Sequence, residues 1–287
     1  MLDLKKFLGP SATSINQEIA YGATDTGKIR KSNEDYFLID PQKHLYIVSD
    51  GMGGHKAGEV ASLSATNAID EYLTEEKLGK IYRTPSRAKT ILKESIIFAH
   101  KRLHEMGNQN LAYKGMGCTV VVAIFVGNTL HLAHIGDSRA YLADDTKMDL
   151  LTTDHTVVME LMKKGKMTPE EARSSDLKNH LSQALGIPID IEPDYLCREL
   201  AKGDRLLLCS DGLWNLIPDL ELFKLMRSDK PHQKIIQDLI HKANKAGGSD
   251  NITCVLIEPQ IETLPSTRPT GSYRRVFFYP TKDPVSD

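Results

Sequence analysis

The chain has one tryptophan, four cysteines and only 6% aromatic residues across 287 positions. None of the cysteines, Cys118, Cys197, Cys209 and Cys254, forms a C-x-x-C pair. That excludes paired-cysteine zinc ribbons and thioredoxin-like redox motifs. No arginine stands six residues after any of them, so a phosphate-cradling C-x-x-x-x-x-R loop is also absent. Cys118, Cys209 and Cys254 lie in or beside apolar runs, the pattern of buried, reduced thiols. This usage points to a reducing, cytoplasmic compartment. Neither sign of charge is in excess: 36 Lys and Arg face 38 Asp and Glu, for a net charge of −2. Nothing therefore suggests a nucleic-acid or anionic-membrane partner. No apolar run approaches the roughly 20 residues that span a bilayer. The opening "MLDLKKFLGPSATS" has too short an apolar stretch for a secretory signal.

A nucleotide-binding phosphate loop is nearly present, and its missing piece is informative. "YGATDTGKIRKSNED" spaces Gly22, Gly27 and Lys28 as G-x-x-x-x-G-K requires, but Ile29 stands where a magnesium-binding hydroxyl is needed. The polar run Arg30 to Asp35 that follows is also wrong for the helix that should begin there. The stretch has to serve another purpose.

What is present reads as two β-rich blocks, each with a helix pair. "EIAYGAT", "YFLID" and "LYIVSD" are short strands. "KAGEVASLSATNAIDEYL" and "SRAKTILKESIIFAHKRLHEM" carry apolar residues at spacings of three and four, the core stripes of helices. "CTVVVAIFV", "GNTLHLAHI" and "SRAYLAD" read as an antiparallel meander by their short connections, with His131 and His134 accommodated in it. Residues 154–186 read as a polar helical insertion, in which "TPEE" is a capping box that claims Glu170 and Glu171. The strand "DRLLLCSDG", the helix "QKIIQDLIHKANKAG" and the strand "NITCVLIEP" complete the body. The pattern suggests layers, sheet against sheet with helices outside. The expected domains are a leader at 1–14, one catalytic body at 15–259 and a Pro/Ser/Thr-rich tail at 260–287.

Four aspartates share one local grammar: each sits beside a small or turn-forming residue at the end of an element that reads as buried. Asp50 follows "LYIV", Asp211 follows "RLLLC", Asp137 lies in "IGDSR", and Asp250 precedes "ITCVLI". One such aspartate is usually a turn former or helix cap. Four, with "SDG" occurring twice, point to strand ends that converge. Converging carboxylates repel unless a cation lies among them. Oxygen-only ligands favour magnesium or manganese over zinc. Gly51, lacking a Cβ, lets its backbone carbonyl approach such a cation. In "RKSNED", Arg30 offers a planar fork for phosphate oxygens, while Glu34 and Asp35 join the acidic ring. Cations and an arginine together make a phosphoryl-transfer site.

The set "RKSNED", "VSDGMGGHKAGEVAS", "GMGCTVVVA", "IGDSRAYL", "LTTDHT", "CSDGLW" and "GGSDNIT" resembles, in residues and in order, the bacterial form of the metal-dependent type 2C protein serine/threonine phosphatases. The resemblance covers Ile15 to Glu258. It implies an α+β fold, a four-layer α-β-β-α sandwich of two antiparallel sheets flanked by helix pairs, with a binuclear manganese or magnesium centre between the sheets whose bridging hydroxide attacks phosphorus in line without a covalent phosphoenzyme. Asp50 would bridge both metals, Gly51 would lend its carbonyl, and Asp211 and Asp250 would ligate the second metal. Asp137 would serve a weaker third site. Arg30 would hold the substrate phosphate, and Asp35 and Glu34 would hold metal-bound waters. Residues 154–186 resemble the family's flap. Implied partners are phosphorylated proteins and a cognate Ser/Thr kinase system, for a monomer. Met52 stands where animal members carry a proposed general-acid histidine, which leaves His55 or a metal-bound water for that role. Two rivals remain at this point: a catalytically silent phosphatase-like binding module, and a calcium-stabilised structural β-protein that gives Arg30 no role.

Overall fold

The computed structural model describes residues 18–53 and 56–261. The leader, His55 and residues 262–287 of the tail lie outside the described residues. Three strands come first, β1 (Ile19–Asp25), β2 (Asp35–Asp40) and β3 (Leu45–Met52). Helices α1 (Lys56–Tyr72), α2 (Glu75–Arg83) and α3 (Ala88–Gln109) follow. Next are β4 (Gly117–Cys118), β5 (Val120–Val126), β6 (Thr129–Ile135), β7 (Arg139–Ala143) and β8 (Met148–Leu150). The insertion carries α4 (Val157–Lys163) and α5 (Pro169–Ser174). The body closes with β9 (Asp194–Glu199), β10 (Arg205–Cys209), α6 (Asp211–Trp214), α7 (Asp219–Met226), α8 (His232–Lys245) and β11 (Ile252–Glu258).

The strands form two antiparallel sheets, ordered β1-β11-β10-β7-β8 and β2-β3-β5-β6-β9, with β4 paired to β3. Strand β5 shows why four layers result. Its side chains alternate: Val121, Ala123 and Phe125 face the other sheet, among Leu206, Leu208, Val255 and Ile257. Val120, Val122 and Ile124 face outward, onto Ala61, Ala65, Ile69, Leu92 and Ile96 of α1 and α3. On the far side, Leu207, Cys209, Cys254 and Leu256 pack beneath Ile235, Ile236 and Leu239 of α8. A strand buried on both faces needs a continuous apolar run, and "VVVAIFV" is one.

The expected meander is only half correct. β5 and β6 pair, but β7 belongs to the other sheet, against β10 and β8. Short connections suggested a hairpin. Instead Gly136, Asp137 and Ser138 carry the chain across the sandwich. Gly136 makes this possible at a φ of 93°, in the left-handed region open to glycine. A Cβ there would lie 2.5 Å from the side chain of Thr119.

Other expectations are refined. Residues 154–186 are helical only over α4 and α5. The capping box at Thr168 and Glu171 is present as read, with Pro169 at the first helical position. The false phosphate loop is a strand and a turn: Gly22 lies inside β1, and Gly27 N–H donates to Asp25 Oδ1 at 2.8 Å. All four cysteines are free, but Cys197 is exposed on the edge strand β9.

Candidate active site

A cleft of about 560 Å³ opens where the two sheets meet. Arg30, Glu34, Asp50, Gly51, Asp137, Asp211 and Asp250 all line it, and His180 and Leu181 of the insertion form one wall. Asp35 lies just beneath, paired in register with Asp50 across β2 and β3. The structure thus brings all eight residues singled out in the sequence to one place.

Backbone geometry explains how each acid arrives there. Asp50 lies near the end of β3, and its main chain is locked to Thr119. Thr119 N–H donates to Asp50 O at 2.8 Å, and Asp50 N–H donates to Thr119 Oγ1 at 3.2 Å. Ser49 Oγ donates to Thr119 O at 2.7 Å. Thr119 Oγ1 also lies 2.6 Å from Ser138 Oγ, beside Asp137. Asp211 begins the short α6, directly after β10. Ser210, on its other side, donates through Oγ to Asp35 Oδ2 at 2.8 Å and accepts Thr253 N–H at 3.0 Å. Asn251 fixes the loop that carries Arg30 and Glu34. Its Oδ1 accepts Glu34 N–H at 2.8 Å, and its Nδ2 donates to the carbonyls of Thr26 and Ser32.

Gly51 is needed for a reason the sequence did not reveal. A Cβ there would lie 2.2 Å from Gly58 O and 2.4 Å from Glu34 O. The start of α1 therefore packs directly on this backbone. Glu34 is tied into the same contact: its carbonyl accepts Gly51 N–H and Ser62 Oγ–H, at 3.1 and 2.6 Å.

Electrostatics tests whether cations fit. Burial, the largest cause, raises the Asp35 carboxyl to about 6 even though Thr253 and Ser210 hold its charged form. Asp211 is pushed up to about 7 by burial and then by Asp250 and Asp35. Asp50 is raised well above the carboxylate range, by burial first and by Asp35, Asp211, Asp137 and Asp250 after it. Asp137 is raised likewise, by burial and then by Asp211. Asp35 Oδ1 and Asp211 Oδ1 are buried with no hydrogen-bond donor. Buried acceptors are seldom left so. A cluster that cannot ionise alone, with lone pairs facing no donor, is matched to hard divalent cations. A counter-charge is supplied by Arg30, whose Nη2 donates to Asp250 Oδ2 at 2.7 Å while half its side chain stays in solvent.

The Asp137 turn is held from the opposite side as well. Trp214 Nε1–H donates to Asp137 O at 3.0 Å. The Arg139 guanidinium lies 3.5 Å over the Trp214 ring and forms a buried bidentate pair with Asp154, at 3.0 and 2.7 Å. Thr119, Ser138, Ser210, Asn251 and Trp214 were not read from the sequence. The paired serines of "VSDG" and "CSDG" were the available signal.

Comparison with known proteins agrees with this geometry. A family profile described as Protein phosphatase 2C matches residues 28–257. Protein phosphatase PhpP of Streptococcus pneumoniae is 37% identical over 237 residues, covering 82% of this chain and 94% of that protein. The S. agalactiae serine/threonine phosphatase superposes with a TM-score of 0.79 at 34% identity, covering 85% of this chain and all of that one. The catalytic domain of serine threonine protein phosphatase PstP, solved in complex with 2 manganese ions, gives 0.72 at 31% identity, over 84% of this chain and 98% of that one.

Proposed function

Because the chain belongs to the protein phosphatase 2C family and is a protein serine/threonine phosphatase, we propose that it removes phosphate from phosphoserine and phosphothreonine in proteins, reversing the action of a Ser/Thr kinase system. The observation that carries this is the convergence of Asp50, Asp211 and Asp250 with Arg30 in one cleft, with Asp35 paired to Asp50 just beneath. Asp50, Asp211, Asp250 and the Gly51 carbonyl would hold two manganese or magnesium ions, and Asp137 would serve a weaker third. When bound, such ions neutralise the carboxylates and acidify water enough to supply a nucleophile at neutral pH.

The chain's own residues do the rest. Arg30 presents its fork to two phosphate oxygens, exchanging Asp250 for substrate. Ser210 fixes one oxygen of Asp35, leaving Oδ1 to take a proton at the cleft floor. Glu34 keeps the approach acidic, and the insertion, through His180 and Leu181, excludes water from one side. A thiol nucleophile is out of reach: Cys118 is fully buried and pushed up to about 12, and burial raises Cys209 and Cys254 further from ionisation. Reduced thiols support a cytoplasmic location. Among the described residues no helix is long and apolar enough to cross a membrane.

The test is hydrolysis of p-nitrophenyl phosphate and a phosphothreonine peptide with EDTA, magnesium, manganese or calcium. Turnover with manganese or magnesium that EDTA abolishes is expected. Folded protein inactive with every metal would overturn the reading in favour of a silent binding module.

A further inference from the structure

Apart from the acidic cluster, His134, His155 and Asp194 bring three ligand-type atoms within 4.8 Å of one another. Their hydrogen bonding argues against a cation there. Gly136 N–H donates to His155 Nδ1 at 3.2 Å. In a neutral imidazole that nitrogen then holds the lone pair, and Nε2 carries the proton. Nε2 lies 3.3 Å from Asp194 Oδ2, so an N–H, not a lone pair, faces the carboxylate. His134 stacks on His155 with centroids 4.9 Å apart and planes 13° from parallel. Burial pulls His134 down to about 3, which leaves it an uncharged plate against the second ring.

His155 therefore has two grips with different ends. One is reciprocal: His155 N–H donates to Gly136 O at 3.0 Å while Gly136 N–H returns to the ring. Gly136 directly precedes Asp137. The other joins the base of the insertion. His155 O accepts Ser182 N–H at 2.8 Å, and Thr156 bridges to Leu181, which lines the cleft.

We propose that His155, oriented by Asp194 and braced by His134, is a positioning residue that sets the Gly136–Asp137 turn and so aims the Asp137 carboxylate at its cation. The proposal rests on the reading of Asp137 as the weak cation ligand. Without the ring acceptor, Gly136 N–H is buried and unmet, and the turn is free to tilt Asp137 away.

The test uses the full chain and reads manganese affinity twice, by calorimetric titration of the metal alone and by the activation curve for p-nitrophenyl phosphate, and the two are expected to shift together. His155→Phe keeps the ring shape and the stack but removes both bonds. It is expected to raise the half-activating manganese concentration about tenfold, the scale of one buried donor left unmet, with KM for substrate unchanged. His155→Asn returns an acceptor near the Nδ1 position and restores most of the curve. In an Asp137→Asn background, His155→Phe adds nothing further. Losses that multiply in the double variant, or His155→Asn as impaired as His155→Phe, would overturn the proposal. An Asp137→Asn variant with an unchanged manganese curve would instead remove the reading of Asp137, a failure visible in that single variant. Should His155→Phe not fold, Asp194→Ala at its half-exposed position carries the test. A shift in the same direction is expected, and an unshifted curve overturns the proposal.

Discussion

Thr119 and Asp50 exchange two hydrogen bonds, at 2.8 and 3.2 Å, and the same threonine hydroxyl reaches Ser138 at 2.6 Å. One buried side chain thus couples the strand end that carries Asp50 to the turn that carries Asp137. Thr119→Val preserves shape and removes both side-chain bonds. Stability is expected to fall by about 1–3 kcal/mol, with a larger loss in kcat than in substrate KM. Denaturant melts and steady-state kinetics check it; a variant with intact kcat counts against the coupling.

Asp211→Asn is expected to abolish manganese-dependent turnover, by about a hundredfold or more, while the fold survives. It also relieves repulsion, since Asp211 faces Asp250 and Asp35. In EDTA the variant therefore melts higher than the parent chain. A lower melting temperature in EDTA contradicts the picture of an over-crowded cluster.

The pH dependence follows from the same crowding. Asp35 and Asp211 titrate near 6 and 7 in the folded chain, above the usual carboxylate value near 3.8. Between about pH 4 and 7 the cation-free folded state binds more protons than the unfolded chain, so these groups lose stability as pH rises through that window. Manganese replaces those protons. The manganese-induced rise in melting temperature should therefore grow from about pH 5 to pH 8. Scanning calorimetry at both values decides it, and an equal rise at both contradicts the argument.

Arg30 pairs with Asp250 and is half in solvent, so its removal costs the fold little. Arg30→Ala is expected to raise KM for a phosphopeptide about tenfold or more, with a smaller change in melting temperature. Arg30→Lys should recover only part, because an ammonium cannot present two parallel N–H groups. Full recovery by lysine would mean that charge alone matters.

Much of this was legible because the chemistry is local. Asp50 and Asp211 sit at the ends of apolar runs, and each follows a serine that the fold uses, Ser49 on Thr119 and Ser210 on Asp35. The long helices α1 and α3 announced themselves by their spacing. The edge strand β9, "DYLCRE", did not, because its exposed face breaks the apolar run. The crossing at Gly136 was hidden because a short link reads the same whether the next strand pairs beside the last or in the opposite sheet. Thr119 was invisible because its partners lie about seventy residues back and nineteen ahead in the chain. Gly51 was singled out for its carbonyl, and the structure adds a second demand, its closeness to Gly58 and Glu34.

β11 is the last of the described strands to be synthesised, yet it lies between β1 and β10. Until it emerges, β1 has no neighbour in its sheet, since its register runs from Ile19 opposite Glu258 to Asp25 opposite Ile252. Asp250 and Asn251, which steady the Arg30 loop, arrive just ahead of it. A nascent chain can complete its six-stranded sheet, with Asp50 in place, while the opposite sheet still lacks β11 and leaves β1 unpaired. The cleft therefore cannot assemble until β11 has emerged, because Asp250 and the anchor of the Arg30 loop come with it.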